Sequence, residues 1–270
     1  MVLYTSRAAD AMVWAYKYGN ADVISNSWGL VSPYTPLTNA IDSAVTRGRG
    51  GKGCVVVFAS GNEVNGFANS VDHPAKLPNV IAVGSIAATG QRADHSCYGP
   101  ELDVVAPGEK VYSTDRQGRY YKFKGTSVAC PHVAGVAALV LSVNPNLTGE
   151  RVRKIIESTC QKVNVNSPSN PSGYIYSSNS SHPNGTWNEY IGHGLVDAFS
   201  SVRRAVCTTI TYNITTLPFI TTDTTVEHCG DINVQNMTVT NNAKLTFDVE
   251  GTTTINSDFE VQLDSELEIK

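Results

Sequence analysis

The feature that most constrains this chain is Cys54-Val55-Val56-Val57-Phe58-Ala59, a run with no polar residue in it. A strand that alternates polar and apolar has one wet face. A strand apolar at every position has none, and such strands sit inside parallel sheets covered on both sides. Asn79 to Val83 repeats the pattern, and Asp22 to Asn26 reads as a further short strand. Helical periods lie between them. In Arg7 to Tyr18, Ala8, Met12 and Tyr16 recur every four residues, with Ala9 and Val13 on the same face. Thr35-Pro36 opens a second helix as a cap followed by Pro. Leu37, Ala40, Ile41, Ala44 and Val45 share one face, and Gly48 ends it. Strands and helices in this order predict an α/β fold with a doubly wound parallel sheet.

Val128 to Leu141 is apolar nearly all round, which predicts a buried helix. Thr148 caps the next one, with Val152, Ile155 and Ile156 facing inward. Gln161 to Gly185, rich in Asn, Ser and Pro, reads as a surface loop. Gly194 to Val206 reads as a last helix with Val196, Phe199 and Val202 in register. After Cys207 the texture changes. Thr dominates, and short alternating stretches such as Ile232-Asn233-Val234 and Leu245-Thr246-Phe247 predict strands. A boundary near Cys207 separates a larger domain, residues 1–206, from a small all-β module, residues 207–270.

Composition narrows the function. Charged residues are 16% of the 270, and the net charge is −4. That balance offers nothing to nucleic acid or to an anionic membrane. Little charge beside many Ser, Thr, Asn and Gly residues fits an extracellular protein. The chain has no apolar run of about 18 residues, so no membrane span is expected. Met1-Val2-Leu3-Tyr4 carries no signal-peptide pattern. Six cysteines stand at 54, 97, 130, 160, 207 and 229 without Cys-x-x-Cys spacing. They are expected to be core residues, with Cys207 and Cys229 the best candidates for a disulfide. Asn-x-Ser/Thr triplets begin at Asn146, Asn179, Asn184, Asn213 and Asn236, and are read as by-products of a Ser/Thr-rich sequence.

The chemistry concentrates in Gly125-Thr126-Ser127-Val128-Ala129-Cys130-Pro131-His132-Val133-Ala134-Gly135. Ser127 opens a buried helix, where free N–H groups and the positive end of the helix dipole favour developing negative charge. Taken alone, the pair Thr126-Ser127 reads as a helix cap. The whole segment resembles the nucleophile motif of the subtilase family of serine proteases, and residues 6–206 resemble the second part of that family's catalytic domain. The resemblance implies that Ser127 is the nucleophile. It also implies that Asn62, in Ala59-Ser60-Gly61-Asn62-Glu63, donates to the oxyanion beside the backbone N–H of Ser127. Ser27, Trp28 and Gly29 would pair with a peptide as an added strand, with Ala59, Ser60 and Gly61 as the opposite wall and Glu63 at the pocket floor. The stretches His73 to Gly84 and Gly99 to Gly108 are implied to be scaffold. Carbonyls of Ala75, Leu77 and Val80 are implied as a weak structural cation site; the chemistry needs no cofactor.

A serine nucleophile needs an imidazole base and an orienting carboxylate. The sequence has no Asp-Ser/Thr-Gly, and its sole His-Gly, His193-Gly194, lies downstream of Ser127. His132 falls inside the serine's own helix, pointing away from the attack position. His73, His95, His182 and His228 sit in loops. The expectation is therefore a fragment of a secreted or cell-surface, monomeric serine endopeptidase acting on peptide or protein substrates. By itself it is expected to fold poorly and to be inactive. One alternative is a non-catalytic peptide-binding relic of a subtilase. Another makes the C-terminal β piece the functional part, as a surface anchor, sorting signal or carbohydrate-binding module, although it lacks the clustered aromatics of a sugar platform; it resembles tails of secreted proteases of Bacteroidetes-type bacteria.

Overall fold

The computed structural model describes residues 5–63, 70–207, 211–214, 219–222, 224–228, 231–249, 253–255, 259–262 and 265–269. The chain divides between Ser201 and Val202 into two compact units.

The first unit is built on four parallel strands in the order β1 (Val23–Asn26), β2 (Val55–Ala59), β3 (Ile81–Ile86) and β4 (Val104–Pro107). Ser25 pairs with Val57, Ala59 with Val83 and Val83 with Val104. Every residue of β2 and β3 is buried. On one face Val56 and Phe58 join Met12 of α1 (Thr5–Lys17) and Leu37 and Ile41 of α2 (Thr35–Arg47) in one core. Side chains alternate along a strand, so Val55 and Val57 turn to the other face. There α3 (Thr126–Val143) packs along all four strands. Each fully buried aliphatic or aromatic side chain of this sandwich is worth about 1.5–3 kcal/mol. Helix α3 is long and apolar enough to cross a membrane, yet half of it is covered by the unit itself.

Several local expectations need correction. Tyr34, not Thr35, holds the cap position of α2, and its carbonyl takes the N–H of Leu37 at 3.0 Å; no side chain caps this helix. Helix α3 is covered on one face only. Ala129, Val133 and Ala137 are sealed, while Pro131, Leu139 and Val143 lie open, Leu139 at 50% exposure. Helix α4 (Gly149–Ser158) starts as expected, with the Thr148 hydroxyl accepting from Arg151 N. The last helix, α5 (Ala198–Cys207), starts later than Gly194. Leu195 and Val196 spend their backbone on Gln161 and Val105, which a helix could not do. Phe199 then points to solvent, 77% exposed, rather than into a core. The hairpin β5 (Val111–Thr114) and β6 (Tyr120–Phe123) lay unread in the sequence, because its residues are exposed apart from half-buried Val111 and Phe123 and no periodicity marks it. A second hairpin, β7 (Ser177–Asn179) with β8 (His182–Trp187), interrupts the stretch read as a loop.

A charged cluster is buried behind the sheet. Arg153 reaches Asp103 at 2.7 Å and Glu157 at 2.5 Å, and also donates to Pro78 O. Asp103 accepts from Ala82 N at 2.7 Å, and Glu157 from Asn184 at 2.6 Å. His193, fully buried, stands 3.7 Å from Glu157. Burial lowers its pKa to about 4, although Glu157 pulls the other way. The imidazole is therefore neutral in the fold.

The second unit is a parallel β-solenoid. Three three-stranded sheets are described: β9 (Thr211–Ile214), β12 (Asp231–Val234) and β15 (Thr253–Ile255); β10 (Phe219–Ile220), β13 (Met237–Val239) and β16 (Phe259–Val261); β11 (Thr224–His228), β14 (Lys244–Val249) and β17 (Glu266–Ile269). Tyr212, Ile232 and Thr253 stack in register, as do Ile220, Val239 and Val261. One coil thus recurs roughly every twenty residues, the period of a stacked repeat. Ile232, Val234, Met237, Val239, Leu245 and Phe247 fill the inside. The disulfide expected of Cys207 and Cys229 involves Cys229, which lies outside the described residues, while Cys54, Cys97, Cys130 and Cys160 are free and buried.

Replacing Arg153 by Met leaves two buried carboxylates without their cation and should cost about 3–5 kcal/mol in denaturant unfolding. Leu245→Ala should cost about 2–5 kcal/mol in the unfolding of the second unit. For His193, the unfolded chain takes up a proton below pH 6.5 and the folded one not until about 4. Its share of stability is therefore full above pH 6.5 and is lost as pH falls toward 4. Thermal unfolding of His193→Gln against the parent should show a flatter decline across that window.

Candidate active site

The carboxyl ends of parallel strands are where α/β sheets gather ligands, and both expected walls of a peptide groove lie there. Residues 27–29 follow β1, residues 60–62 follow β2, and the N-terminus of α3 faces them. Gly125 makes that approach possible. Its φ of +132° is open to glycine and strained for other residues, and its N–H is fixed to Gly108 O at 2.9 Å. Two residues on, Ser127 and Ser27 clasp each other. Ser27 Oγ donates to Ser127 O at 2.7 Å, and Ser127 Oγ donates to Ser27 O at 3.2 Å. Beneath them Cys130 Sγ, its pKa raised by burial, lies 3.6 Å from Asn26 O and 3.7 Å from Ser25 Oγ.

Asn62 sits next to this clasp. Its Oδ1 accepts the backbone N–H of Thr126 at 2.9 Å. The carbonyl end of the carboxamide is thereby committed, and Nδ2 is the end left to donate outward. The two walls differ. Ser60 is buried; its hydroxyl donates to Cys97 O, and its backbone is shared between Val83 and Asp72. It shapes the groove without a hand free to bind. Gly29 is exposed, and among the described residues neither its N–H nor its C=O is hydrogen-bonded, leaving an edge on which an extended peptide could pair. The Trp28 side chain turns away and packs edge-on against Phe58, ring centres 5.2 Å apart, as part of the core.

Glu63 is exposed and bonds through its N–H to His95 O. Asp72 is the residue between the walls. A Cβ on Gly61 would run into its carboxylate, and one on Gly29 would meet its Oδ2 at 3.3 Å. Burial raises the Asp72 pKa, against the pull of Lys76 and His73. The sequence offered one signal: Asp72 directly precedes His73-Pro74, in a stretch read as scaffold. The carbonyls of Ala75 and Val80 belong to buried residues, and Leu77 O takes Val80 N at 3.3 Å.

No histidine ring among the described residues bonds to Ser127. His132 Nδ1 lies 2.8 Å from Val128 O on its own helix. His95 stands 3.8 Å from Glu109, and burial lowers its pKa. His182 stacks on Trp187 at 4.1 Å, and His193 is enclosed. The His228 side chain lies outside the described residues. No three His, Cys, Asp or Glu side chains come together as a metal site among the described residues.

The chain is similar to proteins already known. The chain is 46% identical over 147 residues to subtilisin from Bacillus pumilus, which covers 54% of this chain and 51% of that protein. It is 43% identical over 155 residues to subtilisin DY from Bacillus licheniformis, covering 57% and 54%. It is 46% identical to subtilisin amylosacchariticus from Bacillus subtilis subsp. amylosacchariticus, of which 37% is covered. The chain thus spans about half, or less, of the length of these curated relatives. Among solved structures, a protease of Pseudoalteromonas arctica PAMC 21717 superposes with a TM-score of 0.58 at 31% identity, over 75% of this chain and 59% of that one. The prenylagaramide maturation protease PagA shares the fold, with a TM-score of 0.58 at 23% identity over 74% and 68% of the two chains. The model of the subtilase family (peptidase S8) matches residues 2–175, well over half of the sequence, and on that ground the chain belongs to the subtilase family.

Proposed function

We propose that this chain is the nucleophile-bearing part of a serine endopeptidase that cleaves peptide bonds through an acyl-enzyme. The observation that carries the reading is the Asn62 carboxamide, tethered by Oδ1 to Thr126 N–H, one residue from Ser127. Ser127 Oγ attacks the peptide carbonyl. Asn62 Nδ2 and the Ser127 N–H, at the positive end of α3, receive the charge that develops on the carbonyl oxygen. Ser27, Trp28 and Gly29 hold the peptide from one side through backbone atoms; Ala59, Ser60 and Gly61 form the other wall. The proton on Ser127 Oγ needs an imidazole, and the imidazole a carboxylate. In this reading both come from a preceding segment of the enzyme, and the chain alone is a fragment without catalysis. That segment would also cover the open apolar face of α3 and the outer edge of β1, which no strand pairs among the described residues. Residues 1–206 are then the catalytic part, residues 207–270 a separate module. The chemistry calls for no metal or organic cofactor; a structural cation on the carbonyls of Ala75, Leu77 and Val80 would serve the scaffold only. Low charge and the family resemblance favour a secreted or cell-surface, monomeric enzyme working on peptides or proteins.

The test is hydrolysis of a chromogenic peptide by the chain with and without a polypeptide carrying the family's aspartate and histidine segments. The chain alone should be slower by about 10⁶-fold, the scale on which subtilisin itself loses turnover without its histidine. Complementation should restore cleavage, and Ser127→Ala should abolish it. Asn62→Ala should lower turnover by about 10²–10³-fold, a range set by subtilisin itself. Peptide binding without cleavage in the complemented protein would favour the non-catalytic relic instead.

A further inference from the structure

The carboxylate of Asp72 has no role in bond cleavage as described above, yet it lies where the two walls of the groove meet. Its position is fixed by main chain on both sides. Asp72 N–H donates to Ser60 O at 2.8 Å, and the adjoining His73 O takes Leu30 N at 2.6 Å. The first bond ties Asp72 to the Ala59–Gly61 wall, the second ties its neighbour to the end of the Ser27–Gly29 wall. The side chain fills the space that side chains on the two glycines would need. At Gly61 a Cβ would collide with the carboxylate; at Gly29 it would come within 3.2 Å of Asp72 Cβ. Gly61 holds φ +109°, which an L side chain rarely adopts. The two glycines therefore expose the acid between them.

The acid is also without a direct partner among the described residues. It is half-buried, and its side chain makes no hydrogen bond or ion pair among the described residues. The nearby ammonium of Lys76 is held instead by Ser70 Oγ at 2.8 Å. A partly desolvated carboxylate without a partner is costly, and the cost is recovered when a cation reaches it. Burial already disfavours its charge in the free protein, with Lys76 and His73 offsetting only part of that.

We propose that Asp72 is the specificity-determining residue of this groove and selects peptides that carry a Lys or Arg side chain into the space between Gly29 and Gly61. The proposal rests on the protease reading only in taking residues 27–29 and 59–61 as peptide-binding walls. A flexible cationic side chain suits the site. It passes between two bare backbones and ends on a carboxylate, where the ammonium or guanidinium supplies the missing donor. A neutral chain of equal length would leave the acid buried and unpaired.

The experiment is equilibrium binding of fluorescent, uncleavable peptides to the full chain, so that catalysis plays no part. Three peptides differ at one position: Arg, Lys or norleucine. The cationic peptides should bind about tenfold tighter, the scale of a hydrogen bond to a charged group. Asp72→Asn should erase that ratio, bringing the Arg, Lys and norleucine peptides to the same affinity. Added salt should narrow the ratio in the unmodified chain, a readout that needs no variant to fold. If all three peptides bind equally, or the cationic preference survives in Asp72→Asn or is insensitive to salt, the Asp72 proposal falls and the protease reading stands. If no peptide binds, the groove reading itself falls, and the proposal with it.

Discussion

The first unit is governed by the need to cover both faces of β2. Its Val56 and Phe58 require α1 and α2 on one side; Val55 and Val57 require α3 on the other. Once those helices are laid down, the ends of β1 and β2 and the beginning of α3 fall within a few ångströms of each other. The Ser27–Ser127 clasp and the Asn62–Thr126 contact are short-range consequences of that arrangement. Dispersion and burial place the backbone; hydrogen bonds then choose which atoms face the groove. The geometry of the proposed site is thus inherited from packing.

Much of this was legible from residues alone. Apolar runs gave β2 and β3 because two-faced burial leaves an unmistakable composition. The segment Gly125–Gly135 gave Ser127 because a motif of that length carries its own context. What stayed hidden has physical reasons. The β5–β6 hairpin is largely solvated, so no hydrophobic period marks it. The open face of α3 carries Pro131, Ala138, Leu139 and Val143 beside His132 and Ser142, so composition did not separate it from the covered one. Asp72 was easy to pass over because it meets two glycines far off in sequence, at 29 and 61, and only its place directly before His73-Pro74 marked it.

The cluster around Arg153 shows a different economy. A guanidinium held by two carboxylates, a carbonyl and nearby polar groups adds little net stability over an apolar plug of the same shape. It does fix α4 against β4, since Asp103 also receives Ala82 N. Directional contacts of this kind set register where apolar packing alone would tolerate sliding.

The solenoid is governed by another geometry. Each coil meets only the coil before and the coil after it, through matched pairs such as Ile232 with Thr253 and Leu245 with Leu267. Cross-section and length are therefore independent variables. Duplication or loss of a whole turn would lengthen or shorten the rod without disturbing a single inward side chain of the others. The length of such a stack changes in steps of one strand spacing, about 4.8 Å at a time.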